Sequence, residues 1–265
     1  MKSTRKEVKS TVIRRMAILS SLNTNGQVNV KDLSESLGVS SVTIRNDLEQ
    51  LEKKNMLLRA RGGAMKFTQS HVGLEHPLSD KQKKNLIEKK EIGRTAAELV
   101  EEGNTIILDS GSTTFELARN LDRFENLTVL TNAVNIANYL AKLKNINVIV
   151  PGGMLRPNAL SLVGKLAEKG FQNYFCDKLF LGVDGFDIDH GISTPNSEEA
   201  LMNQAMIEVS QQVIVVADSS KFQRRAFAFI AGMNKIHMVI TDKGISVEHK
   251  SKLESIGIEV KIALT

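Results

Sequence analysis

The 265 residues are 42% apolar and 25% charged with a formal net charge of +5, enough for one small and one medium domain with ordinary cores. No apolar run approaches the roughly 18 residues of a membrane span, and the charged start MKSTRKEVKS has no signal-peptide core, so a cytoplasmic chain without membrane contact is expected. One cysteine, Cys176, and five scattered histidines rule out an internal disulfide and a thiolate metal cluster, and neither a metal nor a cofactor is expected.

The charge becomes informative once divided along the chain. Residues 1–67 hold 13 Lys or Arg against 6 Asp or Glu, whereas residues 68–265 hold 22 against 24. The whole basic excess therefore sits in the first quarter, the footprint of a nucleic-acid module beside a neutral partner domain.

Val12, Ile13, Met16, Ile18, Leu19 and Leu22 recur at helical spacing, and NTNG then stops this first helix. QVNV is a short strand candidate. KDLSESLG follows as a two-turn helix with Leu33 and Leu37 inward, and Gly38 supplies its left-handed cap. Ser40 or Ser41 then caps VTIRNDLEQLEKKN, whose buried stripe is Ile44, Leu48 and Leu51. Two short helices joined by a glycine-containing turn, over about residues 28–47, form a helix-turn-helix, and the second helix enters the major groove by its N-terminal part. Its outward residues are Ser41, Thr43, Arg45 and Asn46. Arginine pairs with guanine and asparagine with adenine, while hydroxyls reach phosphate or a base edge. MLLRARGGAMKF reads as a hairpin, or wing, with Arg59 and Arg61 along the sugar-phosphate backbone and Gly62 and Gly63 permitting close approach.

The run VNVKDLSESLGVSSVTIRNDLEQLEKKNMLLRARGGAM closely resembles the N-terminal domain of the DeoR family of bacterial transcriptional repressors. The resemblance implies a winged helix-turn-helix domain over residues 1–67 that binds double-stranded operator DNA. A single winged helix covers one half-site, so a homo-oligomer, dimer or tetramer, is expected.

TQSHVGLEHPLSDKQKKN, residues 68–85, lacks clear periodicity and reads as a linker. LIEKKEIGRTAAELV restores helical spacing, and seven apolar strand candidates follow: TIILD, LTVLTN, INVIVPGG, KLFLGVDG, VIVVAD, HMVITD and IEVKIAL. Continuous apolar strands alternating with helices predict an α/β domain with a largely parallel sheet over residues 86–265. Ligands bind such sheets at the carboxyl ends of strands. DSGSTT, PGGMLR, GVDGFD and ADSSK are the polar turns there, and they supply the candidate effector residues.

In DSGSTT, Gly111 removes a side chain that would block an oxyanion, and Ser110, Ser112, Thr113 and Thr114 offer donors at the start of a helix. Lys221 is the expected opposing cation and Arg156 a second one, with Gly152 and Gly153 in the turn before it, while Asp184 is placed to accept from sugar hydroxyls. The stretches KKEIGRTAAELV, DSGSTTFELARNL, LTVLTN, PGGMLR and ADSSKF extend the resemblance over nearly the whole chain. It implies an effector domain similar to ribose-5-phosphate isomerase, in which Ser110 to Thr114 and Lys221 contact the phosphate of a sugar or amino-sugar effector. Within the family the region around LFLGVDGFDIDHGISTPNSEEA is most similar to regulators of N-acetylgalactosamine and galactosamine use.

An isomerase carrying a DNA-binding domain is the competing reading. Isomerisation needs a base beside the carbonyl and an acid to polarise it. Asp184, Asp187, Glu198 and Glu199 keep carboxylates in the region, yet the isomerase-like DGADE is DGFDI here and the glycine-rich segment with lysine is replaced by HGISTPNSEEA. Binding chemistry is retained and catalytic chemistry broken, which predicts a regulator and not an enzyme. An RNA-binding regulator is disfavoured because the basic domain has Phe67 and no Tyr or Trp for stacking.

Overall fold

The structure is a computed structural model that describes residues 11–25, 27–53, 56–60, 62–66 and 75–264. The chain divides into two units, Met1–Ser70 and His71–Thr265.

The first unit runs α1 (Thr11–Asn25), β1 (Gln27–Asn29), α2 (Val30–Leu37), α3 (Ser41–Lys53), β2 (Leu57–Ala60) and β3 (Gly63–Lys66). Ile18, Leu22, Leu33, Ile44, Leu48 and Leu51 meet in its core. Ile13 and Met16, expected in the α1 stripe, are instead 54% and 66% exposed. The inward face of α1 runs through positions 14, 18 and 22, and its first member is an arginine. Arg14, 7% exposed, meets the buried Asp47 of α3 at 2.5 Å, and Arg15 meets the same carboxylate at 2.9 Å. Burial works against the charge of Asp47, but its hydrogen bonds with Arg14 and Arg15 prevail and hold the carboxyl below its usual range.

Gly38 is the expected left-handed cap of α2, at φ 66°, with its N–H on the Ser34 carbonyl. The strands form an antiparallel sheet in the order β1-β3-β2, so the wing is present. At Gly63 a Cβ would lie 2.0 Å from the Val28 carbonyl oxygen, so the missing side chain admits β1.

The second unit begins with α4 (Leu78–Lys83) and α5 (Leu86–Ala97), followed by β4 (Thr105–Leu108), α6 (Ser112–Ala118), β5 (Leu127–Thr131), α7 (Val134–Leu140) and β6 (Ile146–Ile149). A hairpin of β7 (Met154–Arg156) and β8 (Ser161–Val163) leads to α8 (Lys165–Phe171) and β9 (Cys176–Leu181). Then come β10 (Gly185–Asp187), β11 (Gly191–Thr194), α9 (Ser197–Glu208), β12 (Ser210–Val216), β13 (Ala228–Ala231), β14 (Met238–Asp242), α10 (Val247–Ser255) and β15 (Glu259–Ala263).

The seven strands read as apolar runs are the seven of one all-parallel sheet, in the order β15-β14-β12-β9-β4-β5-β6. Neighbouring residues of each strand face opposite sides, and both sides are covered. Ile107, Leu179 and Val215 pack with Phe171 and Met206 of α8 and α9, while Ile106, Phe180 and Ile214 pack with Ile92 and Leu117 of α5 and α6. That double cover is why the strands read as continuous apolar runs instead of alternating. The antiparallel sheet β10-β11-β13 was not legible, because its strands have three or four residues each.

The stretch 68–85, expected as a linker without periodicity, contains a short helix in its second half. Leu78–Lys83 is helical, with the buried Leu78 as its anchor and the Leu78 N–H on the Asn158 carbonyl at 2.9 Å. Six residues are too few to be helical by local preference alone, and tertiary contacts fix them.

Candidate functional site

On the first unit, α3 presents Ser41, Arg45 and Asn46 to solvent. Ser40, one of the two residues considered, is the cap: its Oγ accepts from the Thr43 N–H at 3.1 Å and lies 2.9 Å from the Thr43 hydroxyl. Thr43 is thereby committed to the cap, which leaves Ser41 as the exposed hydroxyl. Arg59 on β2 folds onto the recognition helix, donating from Nη1 to the Arg45 carbonyl at 3.0 Å, while its N–H donates to Glu52 at 2.9 Å. Two cations therefore share one turn of α3. Arg61 lies outside the described residues.

Arg45→Ala, at an exposed position with no core role, is expected to lower operator affinity by roughly 1–3 kcal/mol while leaving the melting curve in place. Fluorescence anisotropy on the operator checks it, and undiminished affinity would remove Arg45 from the base contacts.

In the second unit the chain runs outward through β4, β5 and β6, then returns to place β9 on the other side of β4. The loops leaving β4 and β9 part at this reversal, where a crevice opens in doubly wound sheets. The pocket lies there, lined by Ser110, Gly111, Ser112, Thr113, Asp184 and Lys221 among the expected residues. Lys81, Lys89, Thr194 and Asn203, which lie outside the expected site residues, also line it, as does Asp109 at the head of DSGSTT.

Asp184 is the centre of its electrostatics. Lys81 Nζ stands 2.8 Å from one carboxylate oxygen and Lys221 Nζ 3.3 Å from the other. Burial opposes the charge of Asp184, but Lys81 first and Lys221 second outweigh it and hold the carboxyl down at about 2. Asp184, expected to meet sugar hydroxyls, is thus the counter-ion of two lysines. Lys89 is 4% exposed; its ammonium donates to the Lys81 carbonyl and, at 2.7 Å, to the Lys84 carbonyl. Burial pushes it down to about 8.

Asp109 floors the pocket. Its Oδ1 accepts from the Gly111 N–H at 3.1 Å and from the Thr114 hydroxyl at 2.8 Å, and burial raises its carboxyl to about 7. Thr114, expected to offer a donor to the ligand, is fully buried, and its hydroxyl is turned to this loop. The bare Cα of Gly111 also has an inward reason: a Cβ there would stand 2.8 Å from Thr114 Oγ1 and 2.9 Å from Asp109 Oδ1.

The turn after β6 does not reach the pocket, because β6 is the sheet edge, two strands from β4. Gly152 takes φ 82° within this turn, and at Gly153 a Cβ would meet the Val163 carbonyl oxygen at 2.7 Å and Ala167 at 2.8 Å. Arg156, expected as a second free cation, is spent between Glu75 at 2.5 Å and Glu199 at 2.6 Å. Glu199 also accepts from the Ser161 hydroxyl at 2.7 Å, and burial raises its carboxyl nonetheless.

A winged helix-turn-helix unit joined to an α/β unit with a lysine-lined pocket defines a DNA-binding regulator with a sensor domain. Residues 14–70 match the DeoR-like helix-turn-helix domain, and residues 84–243 match the DeoR C-terminal sensor domain. The chain belongs to the DeoR family of transcriptional regulators.

A protein of Escherichia coli O157:H7 named as an aga operon transcriptional repressor is 42% identical, over 96% of this chain and 95% of its own. The transcriptional regulator GlpR of Haloferax volcanii is 35% identical over 93% and 96%, and the repressor GlcR of Bacillus subtilis 32% over 94% and 95%. These relatives are named regulators, and the regulator reading stands over the isomerase one. Ribose 5-phosphate isomerase A of Methanocaldococcus jannaschii is 16% identical at a TM-score of 0.39, over 51% of this chain and 53% of its own, too distant to bear on activity. Among the described residues no helix is long and apolar enough to cross a membrane.

Proposed function

We propose that the protein represses a sugar or amino-sugar catabolic operon and leaves its operator when a phosphorylated amino sugar enters the pocket. The observation that carries this is the charge balance of the lining: Lys81, Lys89 and Lys221 face one fully ionised carboxylate, Asp184. Asp109, raised to about 7 by burial, carries only part of a charge near neutral pH, and Glu199 is occupied by Arg156 and Ser161. Such a cluster lacks an anion, and Ser110, Ser112 and Thr113 add hydroxyl and backbone donors beside it. The likeness to an aga operon repressor supports an amino sugar as the phosphate carrier.

We further propose that the DNA-binding domain covers residues 1–67, with Ser41, Arg45, Asn46 and Arg59 at the duplex, and that the molecule works as a homo-oligomer. Phe227 and Phe229, 67% and 56% exposed at the β13 edge, offer apolar surface for such an assembly.

The test is a titration of the protein on promoter DNA of its own operon. Galactosamine 6-phosphate is expected to release the DNA at concentrations where free galactosamine does nothing, and equal potency of the two would refute the phosphate site. Affinity for the phosphate should also fall as pH rises from 7 to 9. Above about 7 Asp109 gains negative charge and above about 8 Lys89 loses its positive one, so both changes repel the ligand. The phosphate monoester, with its second pKa near about 6, is already a dianion over that range. A flat profile would take Lys89 and Asp109 out of the binding site.

A further inference from the structure

Two of the three pocket lysines hold the same short helix. Lys81 lies on α4 and reaches into the pocket to Asp184, while Lys89 comes from α5 and closes the far end of α4 by donating to the carbonyls of Lys81 and Lys84. The remaining lysine, Lys221, sits on a separate 3-10 turn after β12 that the Asp218 carboxylate caps through the Ser220 N–H at 3.1 Å.

The other ties on this segment lie at its edges. The Leu78 N–H bonds the Asn158 carbonyl at its start. Past its end, Asn85, in the left-handed region at φ 51°, turns the chain into α5 and donates to Asp218 at 2.8 Å. Between these ends, α4 is six residues long, anchored by the buried Leu78 and packed on α6, and the two lysines are its ties to the pocket.

We propose that Lys81 and Lys89 are themselves ligands of the bound phosphate and that their recruitment releases α4. This rests on the reading of the pocket as a phosphate site. A dianion entering beside Asp184 competes with that carboxylate for Lys81 and with the α4 carbonyls for Lys89. Each ammonium that turns to the ligand removes one tether of α4, whereas Lys221 holds no part of α4 and its turn meets the segment only at Asn85, through Asp218 and Ser220. The segment that responds is the first described helix after the DNA-binding unit in the chain, so pocket occupancy is registered on the connection between the two functions.

Hydrogen exchange of the full-length protein, read on the amides of 78–85 with and without saturating inorganic phosphate, tests this. In the wild type phosphate should raise the melting temperature and yet speed exchange in this segment, opposite in sign to the general protection ligands confer. Lys81→Met should exchange rapidly there without phosphate, gain little further on adding it, and bind phosphate roughly tenfold more weakly. Lys81→Arg should restore the wild-type response, which a packing defect at this position would not predict. Lys221→Met should weaken phosphate binding while leaving the ligand-free exchange of 78–85 as in the wild type.

A phosphate shift in melting that Lys221→Met abolishes, with exchange of 78–85 unchanged or slowed in the wild type, overturns the release of α4 and leaves the phosphate site standing. No phosphate effect on the wild type at all overturns both.

Discussion

Asp47→Ala is expected to destabilise the DNA-binding unit severely while the larger unit keeps its stability. The carboxylate is 2% exposed and holds Arg14 and Arg15 of α1 against the recognition helix at 2.5 Å and 2.9 Å. Removing one member of a buried ion pair costs roughly 3–5 kcal/mol, because the remaining charge stays desolvated. A unit of this size has a total stability of only about 4–10 kcal/mol. Arg14, 7% exposed, loses its carboxylate within the packed face of α1, whereas Arg15, with 27% of its side chain exposed, turns to water. Arg15→Ala should accordingly do much less harm. Calorimetry should show the lower transition of Asp47→Ala displaced by more than about 10 °C, with the transition of the α/β unit in place and operator binding gone. A melting profile identical to the wild type would mean that the α1–α3 contact is held by its apolar residues alone.

Lys221→Ala is expected to give a regulator that binds its operator normally and no longer answers the phosphorylated sugar. Lys221 stands 3.3 Å from Asp184 at the rim of the pocket and is part of neither core cluster of the α/β unit, so its loss leaves the sheet intact. A hydrogen bond to a charged partner contributes roughly 1.5–3 kcal/mol, which is about 10- to 150-fold in affinity. By linkage, a ligand that favours the DNA-free arrangement loses its effect on the operator in proportion to the differential binding that is lost. In vivo the variant should repress under inducing conditions. Operator release at the wild-type concentration of galactosamine 6-phosphate would place the phosphate elsewhere.

The legible parts of this molecule are those whose pattern is set locally or by burial on both sides. Seven apolar runs gave the seven parallel strands because each is covered on two faces, and Gly38 announced its cap because only a left-handed residue closes α2 there. The DSGSTT, GVDGFD and ADSSK turns could be placed together because β4, β9 and β12 are neighbours in the sheet. PGGMLR could not be excluded from that group without the strand order, which puts β6 at the edge.

Pairing was the hidden variable. Arg156 has the look of a ligand cation until Glu75 and Glu199, 81 and 43 residues away in sequence, are seen on either side of it. Lys81 gave no signal at all, since α4 is too short for periodicity to mark. Lys89 did leave one: it shares a helical face with the buried Ile92, Gly93 and Ala96, and a lysine on the inner face of a helix calls for an acceptor within the fold.

The contact between Glu75 and Arg156 also fixes where this protein can be cut and rejoined. A designer exchanging its DNA-reading head for another has to preserve everything from Glu75 onward, because that glutamate is braced through Arg156 to Glu199 at the pocket and α4 follows three residues later. A splice placed just before α5, where the regular periodicity resumes, would discard Lys81 with the old head and deliver a sensor stripped of one of its own cations. The functional seam of the molecule therefore runs upstream of the one its hydrophobic pattern suggests.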